Sequence, residues 1–139
     1  MGSVQKSLRI PDDVARIIQE QAESSGRDFS AVANELLAEA VKLTRCPGIV
    51  FADGPSGRRA RIAGTGLDVW EIVSTYKSLS QDDSRLREAY HWLSEPQLRS
   101  ALVYYRLYPD EIERQILRNE GWDKEKLAAR YPSLVQDRS

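Results

Sequence analysis

Few side chains in this sequence are able to attack a substrate, relay a proton or hold a metal. Cys46 is the one cysteine and His91 the one histidine. No disulfide can close within the chain, and no Cys/His set has the spacing of a structural zinc site. Around His91 the run AYHWLSEP holds no nucleophile motif, so neither a Ser-His-Asp nor a Cys-His arrangement assembles. His91 is expected as a partly buried helix residue. Asp82 and Asp83 read as helix caps, where a carboxylate accepts from free amides. No catalytic residue, metal or cofactor is therefore expected, and whatever the chain does it should do by binding.

The side chains suited to binding fall into short patterns. In Val4 to Ile10, V-Q-K-S-L-R-I, strand alternation places Gln5, Ser7 and Arg9 on one face and Val4, Lys6, Leu8 and Ile10 on the other. A cationic stretch, Arg58, Arg59 and Arg61, follows the turn-rich A-D-G-P-S-G, and Gln97 and Arg99 sit early in a later helical pattern. Overall charge supplies no basic field: 20 Lys and Arg face 21 Asp and Glu in 139 residues. Local placement must decide whether an anion is recognised. Apolar runs such as Ile49 to Ala52 are far shorter than the roughly 20 residues of a membrane span. The opening MGSVQKSLRI has no apolar signal core, so the chain is expected in the cytoplasm with no membrane partner.

The elements that would position Gln5, Ser7 and Arg9 come next in the chain. Pro11 is expected to end the strand and open a helix, with Asp12 and Asp13 favoured in the first turn by the helix dipole. Val14, Ile17, Ile18 and Ala22 recur at helical spacing until Ser24, Ser25 and Gly26 stop the run. Asp28 then caps a second helix whose apolar positions, Phe29, Val32, Ala33, Leu36, Leu37, Ala40, Val41 and Leu43, make a stripe too wide for one partner helix. One strand and two short helices cannot bury enough surface alone, and a lone strand leaves its ladder groups unpaired. Antiparallel pairing of two copies about a two-fold axis meets both needs.

The run KSLRIPDDVARIIQEQAESSGRDFSAVANELLAEAV resembles the ribbon-helix-helix family of CopG, Arc and MetJ repressors, over about the first third of the chain. The resemblance implies a homodimer on operator double-stranded DNA, with Gln5, Ser7 and Arg9 reading bases in the major groove. Their chemistry suits this: Arg donates bidentately to guanine, Gln pairs with adenine, and Ser donates or accepts. It further implies a phosphate seat at the start of the second helix, formed by the backbone near Asp28, Phe29 and Ser30 and supported by Arg27. Lys6 departs from the pattern, since an apolar residue is usual on the inward face. It is expected to snorkel to the ribbon edge and reach a phosphate.

Composition shifts at Thr44 to Pro47, from an Ala-rich helix to R-C-P-G, which divides the chain into a domain of residues 1–45 and one of 46–121, with a segment of 122–139. In the second domain, Ile49 to Phe51 and Ala60 to Ala63 predict a hairpin. Asp68 is expected to cap a helix carrying Val69, Trp70, Ile72, Val73 and Tyr76. A helical pattern resumes at Asp82, with Leu86, Ala89, Tyr90 and Leu93 on one face. Ser94, Pro96 and Gln97 signal another helix start, and Pro109 breaks that helix before a further one of Asp110 to Glu120. The fold class expected is mainly α with small β: a ribbon-helix-helix domain followed by a winged-helix or helix-turn-helix-like domain with a short hairpin.

The runs GIVFADGPSGRRARIAGTGLDVWEIV, LSEPQLRSALVYY and YPDEIERQILRNE are similar to a small winged-helix-like family of antitoxin modules seen with PIN-like toxins, the VapB-type antitoxins. That similarity implies a toxin protein as partner, and with the ribbon it leads to an autoregulating repressor in which two dimers side by side on repeated half-sites, forming a higher oligomer, or toxin bridging between them, would set cooperativity. Trp122, Leu127, Tyr131 and Leu134, in an amphipathic stretch near the C-terminus, are expected either to pack back on their own domain or to fold onto the toxin. The alternative is a stand-alone transcription factor in which Arg58, Arg59, Arg61, Gln97 and Arg99 form a second DNA surface and no toxin is involved.

Overall fold

The computed structural model describes residues 2–54 and 57–130, with side chains described through residue 120. The chain divides into two compact units, residues 1–44 and 45–139. It is mainly helical with one small antiparallel sheet. Among the described residues no helix is long and apolar enough to cross a membrane, and no group of His, Cys, Asp and Glu is placed to hold a metal ion.

In the first unit residues 2–11 carry no regular secondary structure, where the sequence predicts a strand. The physical reason is the ladder: strand geometry is held by hydrogen bonds to a neighbour, and this single chain offers that segment none. Helix α1 spans Asp12–Ser25, with Pro11 outside it at the N-cap (φ −55°, ψ 145°) instead of in the first turn. Gly26 ends α1 in the left-handed conformation at φ 68°, and Arg27 N donates to Ala22 O at 3.0 Å. This is the glycine stop the sequence announces, since a Cβ is strained at that φ. Helix α2 spans Phe29–Arg45, and Asp28 Oδ1 accepts from Ala31 N at 2.7 Å, as its capping pattern predicts. Only Ile18, Ala22 and Val32 form the buried cluster between the two helices, flanked by Phe29, Ala33 and Leu36.

The second unit opens with strands β1, Ile49–Gly54, and β2, Gly57–Ile62, paired antiparallel from Ile49 opposite Ile62 to Gly54 opposite Gly57. The predicted hairpin is thus present, and longer than the apolar residues alone suggest. Alternation along β2 turns Ala60 and Ile62 into the core and Arg59 and Arg61 to the opposite face. Helix α3, Val69–Ser78, follows an N-cap at Asp68, whose amide donates to Glu71 Oε2 at 3.0 Å. Helix α4, Asp83–Ala89, is capped by Asp82 Oδ1 accepting from Arg85 N at 3.1 Å.

Helix α5, Glu95–Leu107, begins at a reciprocal pair that closes the predicted capping box: Gln97 N donates to Ser94 Oγ at 3.2 Å and Ser94 N to Gln97 Oε1 at 2.8 Å. Helix α6, Pro109–Arg130, starts at the predicted proline, then runs on through Gly121 where a break was expected. One internal glycine costs a helix only about 1 kcal/mol, too little by itself to end one.

These helices enclose a core of Ile49, Ala60, Ile62, Val69, Ile72, Val73, Leu86, Leu98, Ala101, Tyr104, Ile112 and Ile116, together with buried Cys46. Phe51 meets Tyr104 edge-on with ring centroids 6.3 Å apart, tying the hairpin to α5.

Candidate nucleic-acid interface

In the first unit Gln5, Lys6, Ser7 and Arg9 are all exposed, and none has a hydrogen-bond or ion-pair partner among the described residues. The apolar members of the same run are nearly as open: Val4 is 80% exposed and Leu8 65%. Leu8, Arg9 and Ile10 instead border an apolar groove of about 470 Å³, walled by Val14 and Ile17 of α1 and by Phe29, Ala33 and Leu37 of α2. Arg9 therefore lies beside the groove in this chain, and the two faces that alternation assigns are not separated. Val14, Ile17, Leu37 and Val41 are each more than two-fifths exposed, so the wide stripe predicted for α2 is largely uncovered.

Of the predicted phosphate seat, Asp28, Phe29 and Ser30 stand at the start of α2. The Asp28 carboxylate takes the Ala31 amide, and the amides of Phe29 and Ser30 meet no acceptor among the described residues. The Phe29 ring belongs to the apolar groove. Arg27, expected to support that seat, is exposed, and its guanidinium donates to both oxygens of Glu35, at 3.2 and 3.1 Å. A fork-to-carboxylate pair eight residues apart leaves no sequence signature of the usual helical spacing, which is why it escaped the sequence.

In the second unit the cationic stretch is engaged with carboxylates of the same unit. Arg61 Nε donates to Asp68 Oδ1 at 3.0 Å, and Arg59 Nε forms an ion pair with Asp68 Oδ2 at 3.1 Å. Trp70 Nε1 donates to the same Oδ2 at 3.1 Å. Asp68 is only 3% exposed, so this carboxylate requires such partners, and two arginines on one β2 face supply them. Gly54 makes room for one of them: a Cβ there would sit 2.3 Å from the Arg59 guanidinium carbon. Arg58, on the other face of β2, is 3.3 Å from Asp53 across the hairpin. Gln97 is spent on its capping box, and Arg99 lies 3.8 Å from Glu95 on an exposed surface. The five residues expected as a second DNA surface are thus mostly engaged within their own unit.

The remaining polar cluster joins α3, α5 and α6. Lys77 Nζ donates to both oxygens of Glu113, at 2.8 and 2.7 Å, and Tyr105 also hydrogen-bonds Glu113. The lysine and the phenol hold the Glu113 carboxyl below its ordinary range, and the bond to Glu113 raises both Lys77 and Tyr105. Tyr104 is buried and donates to Glu111; burial first, then this bond, pushes its hydroxyl far above the usual phenol range. None of these groups pairs a nucleophile with a base, and they read as packing hydrogen bonds.

His91 is exposed in the turn after α4, which ends at Ala89, and not in a helix as expected. Its ring meets Trp92 edge-on with centroids 5.2 Å apart. Trp122 and Leu127 fall on the backbone of α6, and Tyr131 and Leu134 lie outside the described residues. Comparison of the chain with family models, with curated proteins and with solved structures finds no match.

Proposed function

We propose that this chain is a sequence-specific DNA-binding repressor that acts as a homodimer, reading operator DNA with Gln5, Ser7 and Arg9 of a two-stranded ribbon. The observation that carries the reading is the open apolar groove of the first unit beside a segment with no ladder partner. An uncovered groove of this size on a unit with so small a core favours an interface over a free surface. A second copy suits it because it supplies what is missing in matching amounts: a strand for residues 4–10 and apolar faces from α1 and α2. Pairing the strands would turn Val4, Leu8 and Ile10 inward together and free Gln5, Ser7 and Arg9 on the outer face.

The second unit, on this reading, is an antitoxin-type module of winged-helix character that binds a PIN-like toxin, a role resting on the resemblance of its RIAGT and PDEIE segments. The engagement of Arg59 and Arg61 with Asp68 weighs against a second DNA surface there. No step of the proposal is catalytic.

A titration of the chain on its own promoter, at two salt concentrations, tests the DNA reading. A Gln5→Ala/Arg9→Ala double variant is expected to lose specific binding while keeping weak, salt-sensitive binding to any duplex. Equal loss on specific and random DNA would contradict base reading.

A further inference from the structure

We propose that the groove between α4 and α5 is a docking site for a partner-protein segment that presents an apolar side chain flanked by carboxylates. The groove holds about 330 Å³. Its floor is apolar, made by Leu86, Leu98, Leu102 and Val103, of which Leu86 and Leu98 are buried. Its rim carries three arginines, Arg87, Arg99 and Arg106, and two carboxylates, Asp83 and Glu95.

The charges are unequally committed. Asp83 accepts a hydrogen bond from Tyr76 Oη at 2.8 Å. Glu95 is shared, 3.8 Å from Arg87 and 3.8 Å from Arg99, with all three side chains more than half exposed. Pairs that long and that exposed are weak and exchange readily. Arg106 has no ion-pair partner among the described residues. An incoming carboxylate therefore finds one open guanidinium and two held only loosely, each offering a planar fork. An apolar side chain beside it covers the floor and excludes water from those pairs, which strengthens them.

A nucleic-acid backbone fits this lining poorly. Phosphates would leave the apolar floor of Leu86, Leu98, Leu102 and Val103 uncovered, whereas a peptide segment brings an apolar side chain beside its carboxylates. The inference rests on the part of the proposed function that gives the second unit a protein partner, and it names where and by what chemistry that partner is held.

The test selects random dodecapeptides displayed on phage against the full-length chain, then measures the selected peptides by fluorescence anisotropy. The expected winners place Asp or Glu beside Leu, Ile or Phe and bind about ten-fold more weakly to Arg99→Glu/Arg106→Glu. The same peptides should bind unchanged to Arg114→Glu, an exposed arginine of α6 away from the groove. Should the double variant fold poorly, Arg106→Gln, at an exposed and unpaired position, is expected to lose about three-fold on its own. Recovery of no peptide, peptides without acidic residues, or equal binding by the groove variants would overturn the site. So would random-sequence duplex DNA that loses affinity through these same arginines. Peptides that bind the second unit elsewhere would overturn the groove while leaving a protein partner in place.

Discussion

The two units of this chain bury their apolar residues to very different degrees. Among the described residues, the first unit buries Ile18, Ala22 and Val32, while the second encloses thirteen residues from the loop before the hairpin, the hairpin and all four of its helices. The difference does not come from composition, since α2 carries as broad an apolar stripe as any helix here. It comes from what each stripe meets. Among the described residues of the second unit most large apolar side chains are covered within the unit, Val50, Trp92 and Leu117 being exposed; in the first, Val4, Leu8, Val14, Ile17, Leu37, Val41 and Leu43 are all exposed, Leu37 at 55% and Val41 at 57%. On the proposed reading, a unit that carries a core's worth of apolar side chains and covers few of them is half of a fold that a second copy completes. The second unit should therefore be stable by its own contacts, and the first by association.

The sharpest way to break this comparison is Leu37→Asp. At an open position of a single chain the charge costs little, but at a covered interface it is a buried, unpaired carboxylate. The variant is expected to sediment as a monomer and to lose specific DNA binding entirely, while the second unit keeps its near-ultraviolet circular dichroism. A dimer that still binds DNA would end the argument for a second copy in the groove. Wild-type unfolding should likewise show one transition that moves with protein concentration and one that does not.

A smaller effect is expected inside the second unit. Asp68→Asn leaves Arg59 and Arg61, whose side chains are 19% and 28% exposed, without their shared anion. Breaking a buried ion pair from one side costs about 3 kcal/mol, read as a lower denaturation midpoint of the concentration-independent transition. A wild-type midpoint would mean these arginines are free after all, and would reopen the hairpin as a DNA surface. Ile72→Val, at a fully buried α3 position, should follow at about 1 kcal/mol in the same transition and leave the dimer transition untouched.

How much of this was legible in the sequence depends on distance along the chain. Local signals were readable: Gly26 as a stop, Asp28 and Ser94 as caps, the Ser94–Gln97 capping box, Pro109 as the break between two helices and the hairpin around A-D-G-P-S-G. Each is fixed by residues within a turn or two. What the sequence hid was which charge meets which. Arg59 and Arg61 look like a DNA-facing pair until the fold brings Asp68 beneath them, and Arg27 looks free until Glu35 comes round on α2. His91 was misplaced because α4 stops at Ala89, four residues before Leu93, where the apolar spacing would end it. For the candidate reader, the residue types at Gln5, Ser7 and Arg9 are plain from the sequence, but the proposed presentation would need a strand partner that residues 2–11 do not have in this chain.

The smallest expected effect concerns the pH dependence of the second unit alone. Lys77 and Tyr105 hold the folded Glu113 carboxyl below its ordinary 4.5, so the native state favours the ionised form. A depressed carboxylate contributes stability that is present above its unfolded value and is lost as the pH falls through its folded one. The second unit should therefore weaken as the pH drops below about 4.5. The two ion-pair side chains are 39% and 35% exposed, so solvent screening holds the contribution below about 1 kcal/mol. Glu113→Gln should remove this part of the acid sensitivity from the concentration-independent transition and leave the other unchanged. If the variant instead altered the concentration-dependent transition, the two units would be coupled, and stability could not be divided between a self-sufficient half and an associating one.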